Sequence, residues 1–433
     1  MSLLTLEHQL DETHFSLDLV VVGLGYVGLP LVQGAVEAGL AVAGLDRDPR
    51  VVNGLNSGRS HVDDLDDEDV RGLRERDFVA TADPAILSLA ERIVVCVPTP
   101  LSADGGPDLT AVRSAITAVS EHLRPGMLVV LESTTYPGTT DEVVRPLLER
   151  SGLVAGRDFN LAFSPERIDP GNREFGLRNT PKVVGGHTPA CADRAARLYG
   201  KLVDHVVIAK GTREAEMAKL LENTYRHVNI ALVNEMAKFS HELGIDLWDV
   251  IRCARSKPFG FEAFYPGPGV GGHCIPIDPN YLSHSVRSRL GYPFRFVELA
   301  QEINASMPAY VVRRVQDLLN RERKSLNGAR VLLLGVTYKA DIADQRESPA
   351  PQVARLMRIS GADVHFHDPY IRDWDYGFGP QPRVDDLDAV LAEADITVLL
   401  QGHERYVTAD LPRAARLLFD TRGIISDAGT ARL

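Results

Sequence analysis

Few cysteines, no long apolar run and no surplus of positive charge mark this 433-residue sequence. Its four cysteines form no CxxC pair, which argues against a disulfide scaffold or a structural zinc site and fits a reducing cytoplasm. The formal net charge of −12 disfavours binding to nucleic acid or to an anionic membrane. No apolar run approaches the length that spans a bilayer. Residues 1–17 are acidic and polar, which predicts a short leader arm rather than a signal peptide.

The first predicted domain, residues 18–211, alternates short apolar runs with helical patterns. Such alternation is typical of a parallel, doubly wound α/β sheet. We expect one helix over Val27–Ala38, ending at Gly39, and another near Leu109–Leu123. The predicted strands are Leu19–Val22, Ala41–Leu45, Ile93–Val97, Leu128–Leu131, Asn160–Phe163 and Val206–Ile208.

The pattern changes in the second predicted domain, residues 212–324. Apolar side chains from Met217 to Met236 recur at helical spacing, which predicts one long helix followed by others. That helix could connect domains and form a homodimer interface, or serve core packing alone. Alternation resumes in the third predicted domain, residues 325–433, which we expect to be a second, smaller α/β domain. Its predicted elements are strand Val331–Gly335, helix Pro349–Ile359 and strands Val364–His367, Ile396–Leu400 and Leu417–Asp420.

A dinucleotide fingerprint follows the first predicted strand. Gly23, Gly25 and Gly28 have the GxGxxG spacing that allows a tight turn, close approach of a pyrophosphate and packing of helix on strand. Asp46 ends the second predicted strand, where a carboxylate accepts hydrogen bonds from ribose hydroxyls and repels a 2′-phosphate. The pattern therefore predicts NAD rather than NADP, although the adjacent Arg47 keeps NADP open. Other predicted cofactor contacts are Tyr26, Val27, Pro98 and Thr99.

Residues 269–278, GVGGHCIPID, place Cys274 after three glycines and four residues before Asp278. A thiolate there could attack an electrophilic carbonyl. Together with a nicotinamide cofactor, it indicates oxidation of an alcohol through an aldehyde to an acid. The alternative is a buried cysteine after a flexible loop.

Six motifs in order make residues 18–425 resemble the nucleotide-sugar 6-dehydrogenases, the family of UDP-glucose, UDP-N-acetylglucosamine and UDP-N-acetylmannosamine dehydrogenases. The motifs are GLGYVGLP at 23, ESTTYPGTT at 132, SPERIDPGN at 164, KLLENTYR at 219, GVGGHCIPIDP at 269 and GVTYKADIADQRESPA at 335. The resemblance implies two Rossmann-like domains joined by a long central helix, in a dimer or a higher oligomer. It also implies oxidation of a sugar C6 alcohol to a carboxylate with two NAD per turnover.

The resemblance assigns Cys274 as the nucleophile that forms a thiohemiacetal and then a thioester. Lys219 and Asn223, four residues apart on one helical face, would form an oxyanion site. Glu166 would be the general base for thioester hydrolysis. The other assigned catalytic residues are Asp278, which would order the lysine or the water, and Thr134, which would help to hold the water and the cofactor. The predicted substrate contacts are Glu166, Arg167, Lys219, Asn223, Tyr265, Gly269, Gly271, Gly272, Lys339 and Arg346, with Arg255 as a candidate for reaching an adjacent subunit's site.

The identity of the sugar stays open. The stretches Glu166–Gly171 and Tyr265–Gly269 resemble the branch that acts on UDP-N-acetylglucosamine, yet glucose on a UDP or dTDP carrier is an alternative. Two other functions are also open: a two-electron hydroxyacid dehydrogenase of the 6-phosphogluconate type, and a protein that binds NAD or a nucleotide sugar without catalysis. The 6-phosphogluconate type needs neither Cys274 nor a third domain. A non-catalytic protein would be expected to have lost one of the assigned catalytic residues.

Overall fold

The computed structural model describes residues 16–433, except 63–64, 103–105, 170–171, 173, 273–274 and 428. Most of the predicted leader arm therefore lies outside the described residues. The chain divides into two compact units. The first comprises the described residues up to Glu222 together with Asn280–Ser285, and the second comprises the described residues of Asn223–Pro279 and Val286–Leu433. Within the described ranges, no helix combines the length and the apolar character needed to cross a membrane.

The first unit is built on an eight-stranded sheet. Its strands are β1 (Leu19–Val22), β2 (Val42–Leu45), β3 (Val79–Thr81), β4 (Arg92–Val95), β5 (Leu128–Leu131), β6 (Asn160–Phe163), β7 (Lys182–Gly186) and β8 (Val206–Ile208). They lie in the order β3-β2-β1-β4-β5-β6-β7-β8. The strand order reverses beside β1, which pairs in parallel with both β2 and β4, and ligands bind at such a switch point in α/β proteins.

Strand β1 shows why the sheet is doubly wound. Its four residues are all buried: Leu19 and Val21 pack into one apolar cluster, whereas Val20 and Val22 pack into another. Burial on both faces requires cover on both faces. The helices of this unit are α1 (Gly28–Glu37), α2 (Pro49–Asn56), α3 (Asp67–Glu75), α4 (Thr110–Glu121), α5 (Arg145–Leu148) and α6 (Pro189–Tyr199), with a π-helical turn at Thr140–Val144 and 3₁₀ turns at Pro84–Leu89 and Glu149–Ser151.

Helix α7 (Thr212–Glu242) is the longest of the described helices and has 31 residues, which corresponds to roughly 46 Å of axial length. It starts in the first unit and ends in the second. The predicted long helix from Met217 to Met236 is thus confirmed. The helices that follow are α8 (Leu247–Arg255), α9 (Asp278–Leu290, of which Asn280–Ser285 belong to the first unit) and α10 (Arg295–Arg321).

The second unit contains a five-stranded parallel sheet in the order β10-β9-β13-β14-β15 and a small hairpin of β11 and β12. The elements are β9 (Arg330–Leu334), α11 (Ala350–Ile359), β10 (Asp363–His367), β11 (Asp373–Asp375), β12 (Pro380–Pro382), α12 (Leu387–Glu393), β13 (Ile396–Leu399), α13 (Glu404–Val407), α14 (Leu411–Ala414), β14 (Leu418–Asp420) and β15 (Ala431–Arg432). Val331 and Leu333 of β9 face one apolar cluster, and Leu332 and Leu334 face another. This sheet is therefore also covered on both sides.

The predicted α/β class with two Rossmann-like sheets is confirmed, and the predicted strands Leu19–Val22 and Leu128–Leu131 have the observed bounds. The expectation of purely parallel pairing is wrong at one place, because β6 and β7 pair antiparallel. Antiparallel neighbours need no helical crossover, and the described residues between these two strands form no helix. Sequence reasoning also missed strands β3 and β7 themselves.

Candidate active site

The glycines of the dinucleotide fingerprint form a tight turn between β1 and α1, called here the fingerprint turn (residues 23–28). Gly23 has φ +90°, a conformation that favours glycine. A Cβ on Gly28 would lie 1.8 Å from the carbonyl oxygen of Gly23, so the turn closes only with glycine there. A Cβ on Gly25 would meet no atom within 4 Å, which leaves open space at this position. Open space at this glycine is what the close approach of a pyrophosphate requires.

The N-terminus of α1 meets the fingerprint turn without a competing anion. Its N-cap, Val27, makes no side-chain capping bond, and the first turn of this fully described helix has no acidic residue. The amide hydrogens and the positive end of the helix dipole therefore suit a phosphate group. Tyr26 is exposed beside them.

Asp46, the predicted ribose contact, lies directly after β2 and links two neighbouring loops. Its Oδ2 accepts from the amide of Leu24 at 2.9 Å, and its Oδ1 accepts from the amide of Asp48 at 2.9 Å. The carboxylate is thereby fixed next to the fingerprint turn, where it fits the hydroxyls of an NAD ribose. Arg47, the residue that keeps NADP open, is exposed.

Two more predicted residues lie at the same edge of the sheet, because β1, β4 and β5 are adjacent and parallel. The loops after β4 and β5 are joined by a hydrogen bond of 2.9 Å from the Thr99 hydroxyl to the carbonyl of Thr134. Thr99 is buried, Thr134 is half-buried and Pro98 is exposed. The structure thus brings Thr99 and Thr134 to the edge that bears the fingerprint turn.

Glu166 follows β6, and three neighbouring residues hold its carboxylate. Its Oε1 accepts from the amides of Arg167 (2.7 Å) and Ile168 (2.6 Å), and its Oε2 lies 3.3 Å from the Nζ of Lys182. Burial alone would raise the pKa of this carboxyl, but Lys182, the two amides and Lys219 outweigh burial and lower it. Glu166 is therefore an ionised carboxylate near neutral pH.

Behind Glu166 lies a buried charged group that sequence reasoning missed. The Nζ of Lys182 is also 3.1 Å from Oε2 of Glu132, and the hydroxyl of Tyr199 donates to the other oxygen of Glu132. The side chains of Lys182 and Glu132 are 3% and 0% exposed, whereas that of Glu166 is 15% exposed. Burial raises the pKa of Glu132. We call Glu132, Lys182 and Glu166 the carboxylate cluster.

Helix α7 is tied to the loop after β5 by a buried carboxyl. Glu216 accepts from the amide of Gly138 at 2.5 Å and from the amide and the hydroxyl of Thr140 at 2.8 and 2.7 Å. Burial raises the pKa of Glu216 to about 7. One helical turn later lies Lys219, which is buried and acts electrostatically on Glu166. The structure thus brings Lys219 and Glu166, both assigned catalytic roles from the sequence, into one neighbourhood.

The side chain of Arg167, a predicted substrate contact, bonds to other residues of the first unit. Its guanidinium forms an ion pair with Glu222 at 2.8 Å and donates to the carbonyl of Pro181 at 2.6 Å. These bonds fix the segment that follows Glu166, so Arg167 has a structural role that the sequence pattern did not indicate.

In the second unit, the predicted residues Asn223 and Asp278 are in direct contact. The side-chain amide of Asn223 donates to Oδ2 of Asp278 at 2.5 Å, and Asp278 is buried at the start of α9. Cys274, the predicted nucleophile, lies outside the described residues. It precedes Asp278 by four positions in the chain.

Residues 266–272, called here the glycine loop, are pressed against the segment 338–346. A Cβ on Gly271 would lie 2.7 Å from the Cβ of Tyr338, and one on Gly272 would lie 2.7 Å from the Tyr338 ring. The amide of Gly272 donates to the carbonyl of Arg346 at 3.0 Å. The structure therefore brings two sequence-distant groups of predicted substrate contacts together.

Lys339 belongs to this segment, which is fixed by a buried histidine. The amide of Asp341 donates to Nδ1 of His403 at 2.9 Å, and Nε2 of His403 lies 3.1 Å from Oδ2 of Asp368. With Nδ1 accepting, the proton of the neutral ring is on Nε2. The histidine thus holds the backbone close to Lys339.

Two other predicted substrate contacts are held by near neighbours. Arg346 forms a bidentate ion pair with Asp344, with distances of 2.5 to 3.0 Å. Gly269 has φ +143°, and a Cβ there would lie 2.8 Å from the Cβ of Pro349. Both residues therefore help to set the shape of the glycine loop and of the segment beside it.

Arg422, which sequence reasoning missed, points a cation at the glycine loop. A Cβ on Gly267 would lie 2.9 Å from its Nη1. Burial lowers the pKa of Arg422, and no described residue accepts a hydrogen bond from its guanidinium. A half-buried cation without such a partner suits an anionic ligand. The signal in the sequence was its place two residues beyond the strand β14.

Tyr265 and Arg255, two predicted substrate contacts, lie side by side at the start of the glycine loop. The guanidinium of Arg255 donates to the hydroxyl of Tyr265 at 3.4 Å, and the Tyr265 ring stacks on Trp248 with centroids 5.8 Å apart. Trp248 was not predicted as part of the site. The pair of rings forms an apolar face on which a planar ligand group could pack.

Together, the fingerprint turn, Asp46 and the mostly parallel sheet define the class of a dinucleotide-binding protein with a second Rossmann-like sheet. Comparison with known proteins refines this class. Family models match in order: the NAD binding domain of the UDP-glucose/GDP-mannose dehydrogenase family over residues 17–203, its central domain over 213–306 and its UDP binding domain over 332–428. The chain therefore belongs to the UDP-glucose/GDP-mannose dehydrogenase family, which confirms the resemblance seen in its motifs.

Individual relatives match over nearly the whole chain. The UDP-N-acetyl-D-mannosamine dehydrogenase of Pyrococcus horikoshii is 33% identical over 418 residues, which cover 94% of this chain and 96% of the relative. The UDP-N-acetyl-D-glucosamine 6-dehydrogenase of Pseudomonas aeruginosa is 37% identical over 372 residues, which cover 84% and 86%. The solved structure of the Pyrococcus horikoshii UDP-D-ManNAc dehydrogenase superposes with a TM-score of 0.87 at 32% identity, over 96% of this chain and 98% of that one.

Proposed function

We propose that this protein oxidises the C6 hydroxyl of a UDP-linked N-acetylhexosamine to a carboxylate, a four-electron oxidation that uses two NAD. The observation on which the proposal rests is the Glu166 carboxylate, held by two backbone amides and by Lys182 at 3.3 Å, at the same sheet edge as the fingerprint turn. A base at this edge can take the proton of the water that hydrolyses an acyl intermediate, and Cys274, which a single alcohol oxidation does not require, would carry that intermediate.

The residues of the first unit fit NAD. The open space at Gly25 and the uncapped N-terminus of α1 suit its pyrophosphate, and Asp46 suits its ribose. When bound there, NAD would supply the hydride acceptor for each of the two oxidations at C6, and the hydroxyl proton lost in the first would pass to water. The Asp46 carboxylate would repel the 2′-phosphate of NADP and so set the cofactor preference.

Cys274 supplies the covalent step in this proposal. Its thiolate forms a carbon–sulfur bond with the C6 aldehyde and gives the oxyanion of a thiohemiacetal, and loss of hydride from C6 of this adduct gives the thioester. Lys219 and Asn223 lie four residues apart on α7, so both can donate to the oxyanion that develops on the C6 oxygen. Asp278 fixes the Asn223 amide through the 2.5 Å hydrogen bond.

Glu166 acts in the hydrolysis that releases the acid. The carboxylate accepts a proton from water while the water oxygen bonds to the thioester carbonyl carbon. The carbon–sulfur bond then breaks and Cys274 leaves as a thiolate. Thr134, whose backbone carbonyl is fixed by Thr99, would help to hold this water.

The second unit would bind the nucleotide diphosphate. Arg422 lies beside the glycine loop and suits the diphosphate, and Lys339 follows β9 near the switch point of the second sheet. Tyr265 and Trp248 offer a stacked apolar face for the uracil or the sugar. We assign an N-acetylhexosamine because relatives with this coverage are named for UDP-N-acetylmannosamine and UDP-N-acetylglucosamine.

We further propose a homodimer formed around the central helices. Within the second unit, large apolar side chains on α7 and α10 are exposed, among them Leu232 (54%), Phe239, Phe296 (67%) and Leu299. Exposed apolar surface of this kind on a single chain marks an interaction surface. Light scattering coupled to size exclusion should give twice the monomer mass, and Phe296→Asp with Leu299→Asp should shift the mass to the monomer. A monomeric wild-type protein would contradict the dimer.

Counting NADH per sugar consumed tests the function. UDP-N-acetylglucosamine, UDP-N-acetylmannosamine, UDP-glucose and dTDP-glucose form the panel, and the expected result is two NADH per molecule of one of the first two. Cys274→Ser should lose acid formation by several orders of magnitude and keep NAD binding, because a serine is a far weaker nucleophile near neutral pH. One NADH per sugar would instead support a two-electron dehydrogenase, and none would support a binding protein.

A further inference from the structure

The carboxylate cluster places a buried lysine between two carboxylates, and only one of these is partly exposed. Lys182 comes from the start of β7, Glu132 follows β5, and Glu166 follows β6. A single ammonium group therefore joins three neighbouring strands, with Nζ 3.1 Å from Glu132 and 3.3 Å from Glu166. Such an arrangement is costly to bury unless each charge is paired and hydrogen-bonded.

Both oxygens of the inner carboxylate have partners within the protein. Glu132 accepts from the hydroxyl of Tyr199 through one oxygen and from Lys182 through the other. The ammonium of Lys182 also lies over the ring of Tyr199, 5.2 Å from its centroid. Glu132 and Tyr199 thus fix the ammonium from behind, so that it can point at Glu166.

On the basis of the proposed function, we propose that Lys182 is a positioning residue that keeps the Glu166 carboxylate ionised and correctly oriented for thioester hydrolysis. Glu132 is the anchor of Lys182 and takes no part in proton transfer. The antiparallel pairing of β6 with β7 is what brings the lysine to this place.

The other cations around Glu166 leave this role to Lys182. From α7, Lys219 acts on Glu166 only through its longer-range charge, and no described hydrogen bond or ion pair joins the two side chains. The Arg167 guanidinium is committed to Glu222, and only the Arg167 backbone amide contacts Glu166. Among the described residues, Lys182 is the cation in direct contact. Its removal leaves only the two amides and the more distant Lys219 to oppose burial, so the pKa of Glu166 rises.

Two further titratable groups face the cluster from β4 and α6. The Cys96 thiol, directly after β4, lies 4.0 Å from Oε2 of Glu132, and burial raises its pKa well above the ordinary value. Burial also raises the pKa of the Tyr199 hydroxyl at the end of α6. Both groups are therefore neutral at physiological pH and add no charge that could replace Lys182 beside Glu166.

The test follows the titration of the Glu166 carboxyl itself. Protein labelled with ¹³C at the glutamate side-chain carboxyls gives one signal that disappears in Glu166→Gln, which assigns it. In Lys182→Met this signal should titrate about 1–3 pH units higher than in the wild type, because one adjacent cation shifts a carboxyl pKa by that amount. Lys201→Met, which removes an exposed lysine of the same unit, is the matched control and should leave the titration unchanged.

Two further variants secure the result. Lys182→Met together with Glu132→Gln removes the inner ion pair as a neutral unit, so it tests the titration even if the single variant does not fold. Lys182→Arg keeps the charge and should restore the wild-type titration. In the double variant the upward shift should be smaller, because the repelling charge of Glu132 is lost as well. An unchanged Glu166 titration in Lys182→Met, or a downward shift in the double variant, would overturn the proposal.

Kinetics separate this proposal from the function on which it rests. If both hold, the acid limb of the steady-state kcat profile in Lys182→Met moves to higher pH together with the Glu166 titration, and an acyl adduct accumulates at pH values where the wild type shows none. If the carboxyl titration moves but the kcat profile does not, Lys182 still controls the ionisation of Glu166, and the assignment of Glu166 as the hydrolytic base is wrong.

Discussion

Two glycines of the fingerprint turn should respond to the same substitution in opposite ways. Gly25→Ala and Gly28→Ala each add one methyl group, three residues apart in the turn. The first should impair NAD binding and spare the fold, and the second should damage the fold. The comparison separates the two roles that a glycine can have in this motif: room for a ligand and room for the protein's own backbone.

The expected magnitudes follow from the space around each glycine. A Cβ at position 28 would lie 1.8 Å from the Gly23 oxygen and 3.0 Å from its carbonyl carbon. These are backbone atoms, so relief requires the turn to open, and we expect Gly28→Ala to cost about 3 kcal/mol, the upper end of the range for overpacking. A Cβ at position 25 would meet no atom within 4 Å, and the φ of Gly25 lies outside the left-handed region. Alanine there should leave stability unchanged or raise it by up to ~1 kcal/mol.

For NAD affinity, in contrast to stability, Gly25→Ala is the variant with the larger expected effect. The Gly25→Ala methyl would occupy the space of the pyrophosphate, and overpacking of about 1–3 kcal/mol corresponds to a Kd about 5- to 150-fold higher. Isothermal titration with NAD measures this directly, with the wild-type protein as the reference for each variant.

The stability assay can be confined to the right unit. Both tryptophans, Trp248 and Trp374, belong to the second unit, so their fluorescence is an internal reference in urea. Hydrogen exchange of peptides that cover β1 reports the first unit. Gly28→Ala should lower the urea midpoint of β1 protection. The reasoning is refuted if Gly25→Ala destabilises β1 as much as Gly28→Ala does, or if Gly25→Ala binds NAD with wild-type affinity.

Three further outcomes are expected. The wild type should prefer NAD in kcat/KM because of Asp46, and Asp46→Asn should narrow that preference; comparable kcat/KM values for NADP in the wild type would contradict the ribose assignment. Glu166→Gln should give a burst of NADH and a sugar adduct on Cys274 that intact-mass measurement detects. Lys219→Ala should suppress the burst, since both oxidations lose an oxyanion donor. A Glu166→Gln enzyme that shows neither burst nor adduct would contradict the role of Glu166 in hydrolysis. His403→Leu should raise KM for the nucleotide sugar and change kcat less, because it loosens the segment that bears Lys339. A KM equal to that of the wild type would show that the segment keeps its conformation without His403.

The parts of the site that could be predicted from sequence are those whose chemistry is local. The fingerprint glycines and Asp46 lie in a strand–turn–helix–strand stretch, where spacing alone fixes their arrangement. The contact between Asn223 and Asp278 spans 55 residues, and only the family resemblance pointed to both. In each case the residue type already states the chemistry.

Lys182 and Arg422 show where sequence reasoning ends. A lysine at the start of a short strand is more often solvated than buried, and nothing near Lys182 in the chain indicates a carboxylate partner. Glu132 lies 50 residues earlier and Glu166 lies 16 residues earlier. Glu166 and Lys182 meet because β6 and β7 pair antiparallel, whereas the alternation of strands and helices predicted parallel pairing. The importance of Arg422 likewise depends on its position beside Gly267. Gly267 lies far earlier in the chain, and only the fold brings the two residues together.

The pKa values of the two carboxyls that share Lys182 shift in opposite directions, and this difference separates the roles of the two groups. Burial raises the pKa of Glu132, which is closed off behind the lysine, whereas the lysine and two backbone amides outweigh burial and lower the pKa of Glu166, which is partly exposed. A base must be ionised at working pH and must reach its proton, and only Glu166 meets both conditions. Environments that separate the pKa values of paired carboxyls are a general way of assigning distinct roles to them. Here the separation makes Glu132 structural, because a group that cannot reach water cannot deprotonate it.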